Sequence, residues 1–307
     1  MFGPRKIALG LAVAVVTLAL GSAALAGTHS GAFLRMGVGA RALAMGGSYV
    51  AIANDATAGY WNPAGLALVE DVSIELMYSH DLAFDRSLNY GGIAKKFDFG
   101  SLGFSYLGGG MDDLDAYDEN NNPNGSFNTR EHAFILSYAT NPLSFVRDCA
   151  PAYVGISFKG IMQDMGDDDG SQFGIGADVG AMFTPVEMLT FGIAVQDVGT
   201  KILDPNDSVP YHIRFGVAAR AMDNALTVTA GAAKTRHIGD PTLQLGAEYW
   251  TEFSADKYGG LRVGLDEGAF AAGLGLKISG IGLNYAYVVE EQDFMGENHR
   301  FSLGLEF

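Results

Sequence analysis

The segment that decides the fold is Phe301-Ser302-Leu303-Gly304-Leu305-Glu306-Phe307. Large apolar residues occupy every second position in it, and small or polar residues occupy the positions between. This period of two is typical of a β-strand with one apolar face. Residues 243–249 and 281–287 repeat the pattern. We therefore expect an all-β protein.

The same alternation divides the chain into about fourteen strands. Most are longer than the five or six residues usual in globular proteins, and their length suits tilted membrane-spanning strands. An even number is the rule in single-chain bacterial outer-membrane barrels. The predicted strands lie near residues 72–80, 88–97, 100–109, 130–140, 152–163, 172–184, 188–197, 211–220, 225–235, 241–251, 257–266, 269–278, 281–290 and 298–307.

The lengths of the connections favour a transmembrane antiparallel β-barrel over a soluble β-sandwich, the main alternative. If both chain ends are periplasmic, the long connections 110–129, 164–171 and 198–210 all lie outside the cell. Short periplasmic turns and longer external loops are typical of such barrels. One predicted periplasmic turn, 141–151, departs from the pattern.

Composition excludes several other classes of protein. The 307 residues carry a formal net charge of −16, so we expect no nucleic-acid partner. The single cysteine, Cys149, excludes an intramolecular disulfide and a cysteine-based zinc site. Length alone suggests two domains, but 42 glycines and the strand pattern argue against two ordinary globular ones.

The N-terminus has the form of a secretory signal peptide. Arg5 and Lys6 precede an apolar run, 7–20, and Ala24-Leu25-Ala26 supplies small residues for cleavage. The run is too short to span a bilayer as a helix. We predict that residues 1–26 are removed after export, with a retained anchor as the alternative.

Polar residues at the positions between the lipid-facing ones are expected to line the lumen. A Lys or Arg on the lipid face near the bilayer centre costs roughly 2–4 kcal/mol, so the inward orientation is favoured. We expect Lys277 and Glu306 to point inward for this reason. The candidate lumen or ligand-path residues are Glu75, Lys159, Asp178, Arg214, Glu248, Trp250 and Arg262.

Residues 27–70 lack the strand pattern and are predicted to form a hatch inside the barrel of residues 71–307. Asn62-Pro63 favours a turn with Pro63 in the first position of a helix. Arg35, Arg41 and Asp55 are expected to pair there with charges of the wall, because a buried charge without a partner is costly.

Two motifs of the hatch carry a family resemblance. Leu34-Arg35-x-Gly-x-Gly-Ala-Arg41-Ala-x-Ala-Met45-Gly46-Gly47 is followed by Asn54-Asp55 at a turn and then by Tyr60-Trp61-Asn62-Pro63-Ala64-Gly65-Leu66. This run resembles the PorV/PorQ family, within the wider group of FadL-like fourteen-stranded outer-membrane barrels. The last strand also resembles the signal read by the barrel-assembly machinery, with aromatic residues at Phe301 and Phe307.

The resemblance implies an outer-membrane protein of a Gram-negative-type bacterium, with two functional branches. The first hypothesis is a structural or secretion-associated protein of PorV/PorQ type, partnered by components of a type IX-like secretion system. The alternative is a FadL-like channel for long-chain fatty acids or other hydrophobic small molecules. Membrane lipid and the assembly machinery are expected partners in both cases. A nonspecific porin is disfavoured because the hatch would block a wide aqueous pore.

Other chemistry has weak support in the sequence. Asp112, Asp113 and Asp115 are candidate calcium ligands, but they lack the spacing of an EF-hand, and a solvated acidic loop is the favoured interpretation. The six histidines are scattered, without a pair at metal-ligand spacing. We expect no enzymatic activity and no cofactor.

Overall fold

The computed structural model describes residues 31–81, 86–144, 149–166, 170–202, 207–289 and 297–307. The predicted signal peptide, residues 1–26, lies outside these ranges. Within them, no helix combines the length and apolarity needed to cross a membrane.

Fourteen antiparallel strands of the described chain form one closed barrel. Each strand pairs with the next in sequence, and the first pairs with the last. A two-residue strand, Asp207–Ser208, pairs only with the end of the seventh. The strands are β1 Val72–Asp81, β2 Arg86–Phe97, β3 Gly100–Tyr117, β4 Pro123–Thr140, β5 Ala152–Asp164, β6 Gln172–Val186, β7 Leu189–Ile202, β8 His212–Ala221, β9 Leu226–Thr235, β10 Thr242–Ser254, β11 Lys257–Asp266, β12 Ala269–Ile278, β13 Ile281–Val289 and β14 Glu297–Glu306.

The seam between β1 and β14 joins the two ends of the barrel wall. Its register runs from Ser73 opposite Glu306 to Asp81 opposite Asn298. Beyond it, the Phe307 amide donates to the Val72 carbonyl at 3.0 Å. We call this end of the barrel, predicted to be periplasmic, the terminal end, and the opposite end the loop end.

The two faces of the wall differ as the alternation predicts. Outward Leu76, Phe158 and Leu261 are 50%, 59% and 61% exposed, whereas inward Glu75 and Arg262 are 6% and 2% exposed. The exposed apolar side chains form the belt that a bilayer covers. Phe301 and Phe307 belong to this belt.

The prediction of a long external loop at 110–129 is wrong. Strand β3 continues to Tyr117 and β4 begins at Pro123, so the connection is only the turn 118–122. Both faces of this hairpin meet water, and no apolar alternation marks it in the sequence. Strand β7 also runs to Ile202 instead of ending near residue 197, because positive φ angles at Asp197 and Gly199 interrupt the alternation while Thr200 and Ile202 stay buried.

Residues 31–71, the N-terminal segment, lie inside the barrel. Helix α1, Ala40–Ala44, contacts β11 to β14, while a 3-10 helix, Pro63–Leu68, contacts β2 to β6 on another part of the wall. Between them lies α2, Ala58–Trp61, and another 3-10 helix, Ala32–Arg35, precedes α1. Short helices joined by turns thus make up the segment.

Candidate functional site

The N-terminal segment packs its backbone directly against glycines of the wall. A Cβ atom on Gly264 of β11 would overlap the amide nitrogen of Gly46, and one on Gly246 of β10 would lie 2.7 Å from the Met45 carbonyl oxygen. Gly46 also has a φ of 61°, a conformation that side chains other than glycine rarely adopt. A Cβ atom on Gly47 would lie 2.9 Å from the side-chain nitrogen of Gln244. Met45, Gly46 and Gly47 therefore form the closest contact of the segment with β10 and β11.

An ion-pair network fixes the same part of the segment. Arg41 donates from Nε and Nη2 to Oε2 and Oε1 of Glu248, at 2.9 and 2.7 Å. Arg262 donates from Nε to Glu248 Oε2 at 2.6 Å. One buried carboxylate on β10 thus bonds with two guanidinium groups, one from the segment and one from β11.

The predicted turn residues Asn54 and Asp55 hold the other side of Arg41. Arg41 Nη1 donates to Asn54 Oδ1 at 2.9 Å and to the Tyr49 hydroxyl at 3.1 Å. The Tyr49 hydroxyl donates in turn to Asp55 Oδ2 at 2.7 Å. The Thr57 amide donates to Asp55 Oδ1 at 2.8 Å. In the part of the chain that the structure describes, Asp55 therefore pairs with Arg41, Tyr49 and Thr57 of the segment, and not with a cation of the wall as expected.

A second buried ion cluster lies in the wall itself. Lys159 Nζ is 2.9 Å from Asp178 Oδ1 and 2.6 Å from Asp197 Oδ1, and all three side chains are almost fully buried. Lys159 and Asp178 were among the predicted lumen residues, but Asp197 was not. The reason is an irregularity: Asp197 has a φ of 60°, and the pairing of β6 with β7 shifts register nearby, so its direction does not follow the alternation.

Trp61 and Arg214 connect the segment to β8. The Arg214 guanidinium lies 4.7 Å from the centre of the Trp61 ring, and its Nε donates to Gln196 Oε1 at 3.0 Å. The Trp61 indole N–H donates to the Val38 carbonyl at 2.8 Å. With 2% of its surface exposed, Trp61 is a packing residue in this state of the barrel.

Asn62 caps the 3-10 helix that begins at Pro63. Its Oδ1 accepts from the Ala64 amide at 3.2 Å, and its Nδ2 donates to the carbonyls of Val50 and, on β6, Ala181. Position 65 requires glycine, because a Cβ atom there would overlap the Ala53 carbonyl oxygen. The second motif therefore secures one helix to β6. Arg35, at the start of the first motif, has its Nη1 buried without a hydrogen-bond partner among the described residues.

A polar cavity of about 590 Å³ opens at the terminal end, between the segment and the wall. The Trp250 ring lies inside it, with the Arg262 guanidinium 4.9 Å from its centre. Both side chains line this cavity and therefore point inward from the wall. The cavity is lined by Arg41, Asp55, Glu75, Trp250, Arg262 and Glu306, among others.

The inner wall of β1 to β5 carries an apolar patch among buried polar side chains such as Ser105, Ser137 and Ser157, and this patch was not predicted. Its inward side chains belong to one buried cluster with Phe33, Leu34 and Tyr60 of the segment. A signal was present in the continuous apolar run 133–136, since strands buried on both faces lose the alternation. The inward apolar residues are Met77, Leu88, Leu107, Ile135 and Ile161, each no more than 4% exposed.

The candidate calcium ligands lie apart from this interior, in the β3–β4 hairpin. Asp112 forms an ion pair with Arg130, and the Asp113 amide donates to Asn128 Oδ1 at 2.9 Å. Asp115 lies opposite Ser126 in the ladder. Across the described ranges, no cluster of three or more His, Cys, Asp or Glu side chains is arranged to hold a metal ion.

Comparison with known proteins gives the fold a context. No protein-family model matches the chain, and no curated protein sequence matches it. The solved structure of the toluene transporter TbuX from Ralstonia pickettii is similar, with a TM-score of 0.60 over 88% of this chain and 98% of that one. The barrel therefore has the same fold as this toluene transporter. The sequence identity is 13%, so the likeness concerns the fold alone.

Two further solved structures are similar to the same barrel. The monoaromatic hydrocarbon channel CymD matches with a TM-score of 0.57 and 12% identity, over 88% of this chain and 98% of its own. A FadL homologue from Pseudomonas aeruginosa matches with a TM-score of 0.50 and 14% identity, over 85% of this chain and 95% of its own. The predicted FadL-like barrel is confirmed, whereas the narrower PorV/PorQ assignment stays a prediction.

Proposed function

We propose that this protein is an outer-membrane channel for hydrophobic small molecules, such as monoaromatic hydrocarbons or long-chain fatty acids. The observation that carries the proposal is the apolar patch on the inner wall of β1 to β5, which forms one buried cluster with Phe33 and Leu34 of the segment. The interior of a water-filled barrel is polar, because water and polar solutes must pass along it. An apolar patch of this kind favours solutes that leave water readily.

The N-terminal segment acts as a hatch in this proposal. It occupies the lumen and is held by the contacts of Arg41 with Glu248 and by the packing of Trp61. A hydrophobic molecule entering at the loop end meets Phe33 and Leu34 of the segment and the inward side chains of Leu107 and Ile135. The molecule passes when the segment moves away from the wall at this apolar contact. The hatch excludes wide aqueous flow at the same time.

The fold comparisons favour the channel over the secretion-associated role. The three similar structures named above are described as a toluene transporter, a monoaromatic hydrocarbon channel and a FadL homologue. The secretion role rests on the resemblance of the hatch motifs alone. A non-enzymatic role follows from the channel proposal.

Uptake by cells that lack their own hydrophobic-solute channels tests the proposal. Cells producing the barrel should take up radiolabelled toluene or oleate faster than cells with an empty vector, without faster uptake of a sugar. Leu107→Asn adds a polar group to the inner wall and should lower uptake. Leu136→Asn is the matched control, since Leu136 faces outward and is 57% exposed. Heat-modifiable migration of each variant checks that the barrel is folded.

Wild-type uptake no faster than that of the empty vector, with folded barrel in the membrane, would contradict the channel. A stoichiometric protein partner recovered from gently solubilised membranes in that case would support the secretion role instead.

A further inference from the structure

A tyrosine and a histidine form a hydrogen-bonded pair on the outer face of β3 and β4. The Tyr106 hydroxyl lies 2.8 Å from His132 Nδ1, and the two rings stack at 5.9 Å with an interplanar angle of 25°. Phe134, opposite Tyr106 in the ladder, packs against the same tyrosine at 5.4 Å. Gly108 permits this arrangement, since a Cβ there would overlap the Tyr106 hydroxyl.

A similar pair lies on β13 and β14, where Tyr287 stands opposite the histidine in place of glycine and packs against the His299 ring at 5.6 Å. The Tyr285 hydroxyl lies 2.8 Å from His299 Nδ1, and the rings stack at 6.0 Å with an angle of 26°. Phe301, opposite Tyr285 in the ladder, packs against the tyrosine at 5.1 Å. The distances and angles agree closely with those of the first pair, although the two sites share no strand.

Both pairs lie where the apolar belt ends. On β4, Leu136 and Phe134 are exposed apolar residues, His132 follows toward the loop end, and Arg130 comes next on the same face. Arg130 is itself in an ion pair with Asp112, and both side chains are exposed. On β14, exposed Phe301 is followed by His299 in the same direction. This depth corresponds to the headgroup region of a bilayer, where aromatic girdles of barrels are found.

The hydrogen bond leaves one ring nitrogen of each histidine for a ligand. When the tyrosine hydroxyl donates to Nδ1, the neutral imidazole carries its proton on Nε2 and donates from it. In that tautomer the tyrosine also fixes the orientation of the ring. Phosphate oxygens are strong acceptors at this depth, and Phe134 or Phe301 lies where an acyl chain would pack.

We propose that Tyr106–His132 and Tyr285–His299 are two equivalent binding sites for the phosphate group of a membrane lipid. In each, His Nε2 donates to a phosphate oxygen, the tyrosine positions the imidazole, and the phenylalanine contacts the lipid chain. The sites belong to the outer surface of the barrel, so they act whatever passes through its lumen.

Native mass spectrometry of the full mature chain tests this proposal by counting bound lipid. The protein in dodecyl maltoside is titrated with phosphatidylglycerol and, separately, with diacylglycerol of the same acyl chains. We expect two phosphatidylglycerol molecules to be retained at concentrations where diacylglycerol is not. His132→Phe or His299→Phe should leave one, and the double variant should bind about tenfold more weakly at both sites, since a hydrogen bond to a charged group is lost at each.

Tyr138→Phe is the matched control. Its hydroxyl donates to the Phe99 carbonyl at 2.7 Å near the terminal end, away from both histidines, so this variant should still bind two lipids. Equal retention of diacylglycerol, or two phosphatidylglycerol molecules on the double variant, would overturn the proposal. If the double variant does not fold, nitrogen NMR of the wild-type imidazoles decides: the Nε2 signals of His132 and His299 must shift with phosphatidylglycerol, and unchanged signals refute the sites.

Discussion

Arg41 and Glu248 face each other through two parallel hydrogen bonds, 2.9 and 2.7 Å long, that join the N-terminal segment to β10. Arg262 bonds with the same carboxylate from the neighbouring strand. Paired, fork-like contacts between a guanidinium and a carboxylate are directional as well as strong. This contact therefore fixes both the position and the rotation of the segment against the wall.

Replacing Glu248 with Gln should destabilise the barrel substantially. Two guanidinium groups would remain close together without their shared anion, a loss that typically costs about 3–5 kcal/mol in a buried site. Chemical unfolding in detergent or lipid measures the change in free energy. Lys277→Gln is the control, because its partner Glu306 is half exposed and such pairs contribute about 0–1 kcal/mol. Equal stability of the two variants would refute the role of Glu248.

Replacing Arg41 with Ala should loosen the proposed hatch while leaving the wall intact. The segment would lose its bonds with Glu248, Asn54 and Tyr49 together. In planar lipid bilayers we expect brief ion-conducting openings that the wild-type barrel does not show. Arg130→Ala, which breaks an exposed pair in the β3–β4 hairpin, should give no openings. A silent Arg41→Ala variant would mean that other contacts suffice to hold the segment.

Two strand glycines should respond differently to the same substitution. Gly264→Ala places a methyl group against the Gly46 backbone, which cannot move without shifting the segment, so we expect a loss of about 1–3 kcal/mol. Gly160→Ala on β5 meets no atom within 4 Å and should change stability by roughly 0.5 kcal/mol or less. Thermal unfolding of both variants measures the difference. Similar melting temperatures would show that the segment is not tightly packed at Gly46.

The turn between β3 and β4 should be sensitive to acid. Hydrogen bonds from Asn122 and from the Asn120 amide lower the pKa of Asp118. A lowered pKa means that these bonds stabilise the turn above the ordinary Asp range and are lost as the pH falls through the lowered value. Carbon NMR of the carboxylate should show a higher pKa in Asn122→Ala. Asn120→Ala is the control, since only its backbone amide contacts Asp118, and equal shifts in the two would contradict this account.

The wall was predictable because one physical rule governs it. Each strand has lipid on one side, so inward Lys159, Arg214 and Glu248 could be identified from their positions between apolar residues. The rule fails where lipid is absent. The β3–β4 hairpin beyond the membrane was missed for that reason, although its backbone ladder continues.

The partners of the inward charges could not be predicted. Whether Arg41 meets Glu248 or another carboxylate depends on how the segment lies in the lumen, which no local pattern encodes. Asp197 reaches Lys159 only because an irregular stretch of β7 turns it inward. The apolar patch around Leu107 was missed because small residues at other inward positions suggested an open lumen.

The seam between β1 and β14 has a consequence for how the molecule is made. The N-terminal segment continues directly into β1, while the strand that seals the ring is the last in the chain. The segment and its contact at Glu248 must therefore be in place before the ring is sealed, or the segment must enter through an open end afterwards. Until then the intermediate is a curved sheet with two unpaired edges, β1 and β14, each able to pair wrongly with a neighbouring molecule. Sealing the ring removes both edges in one step.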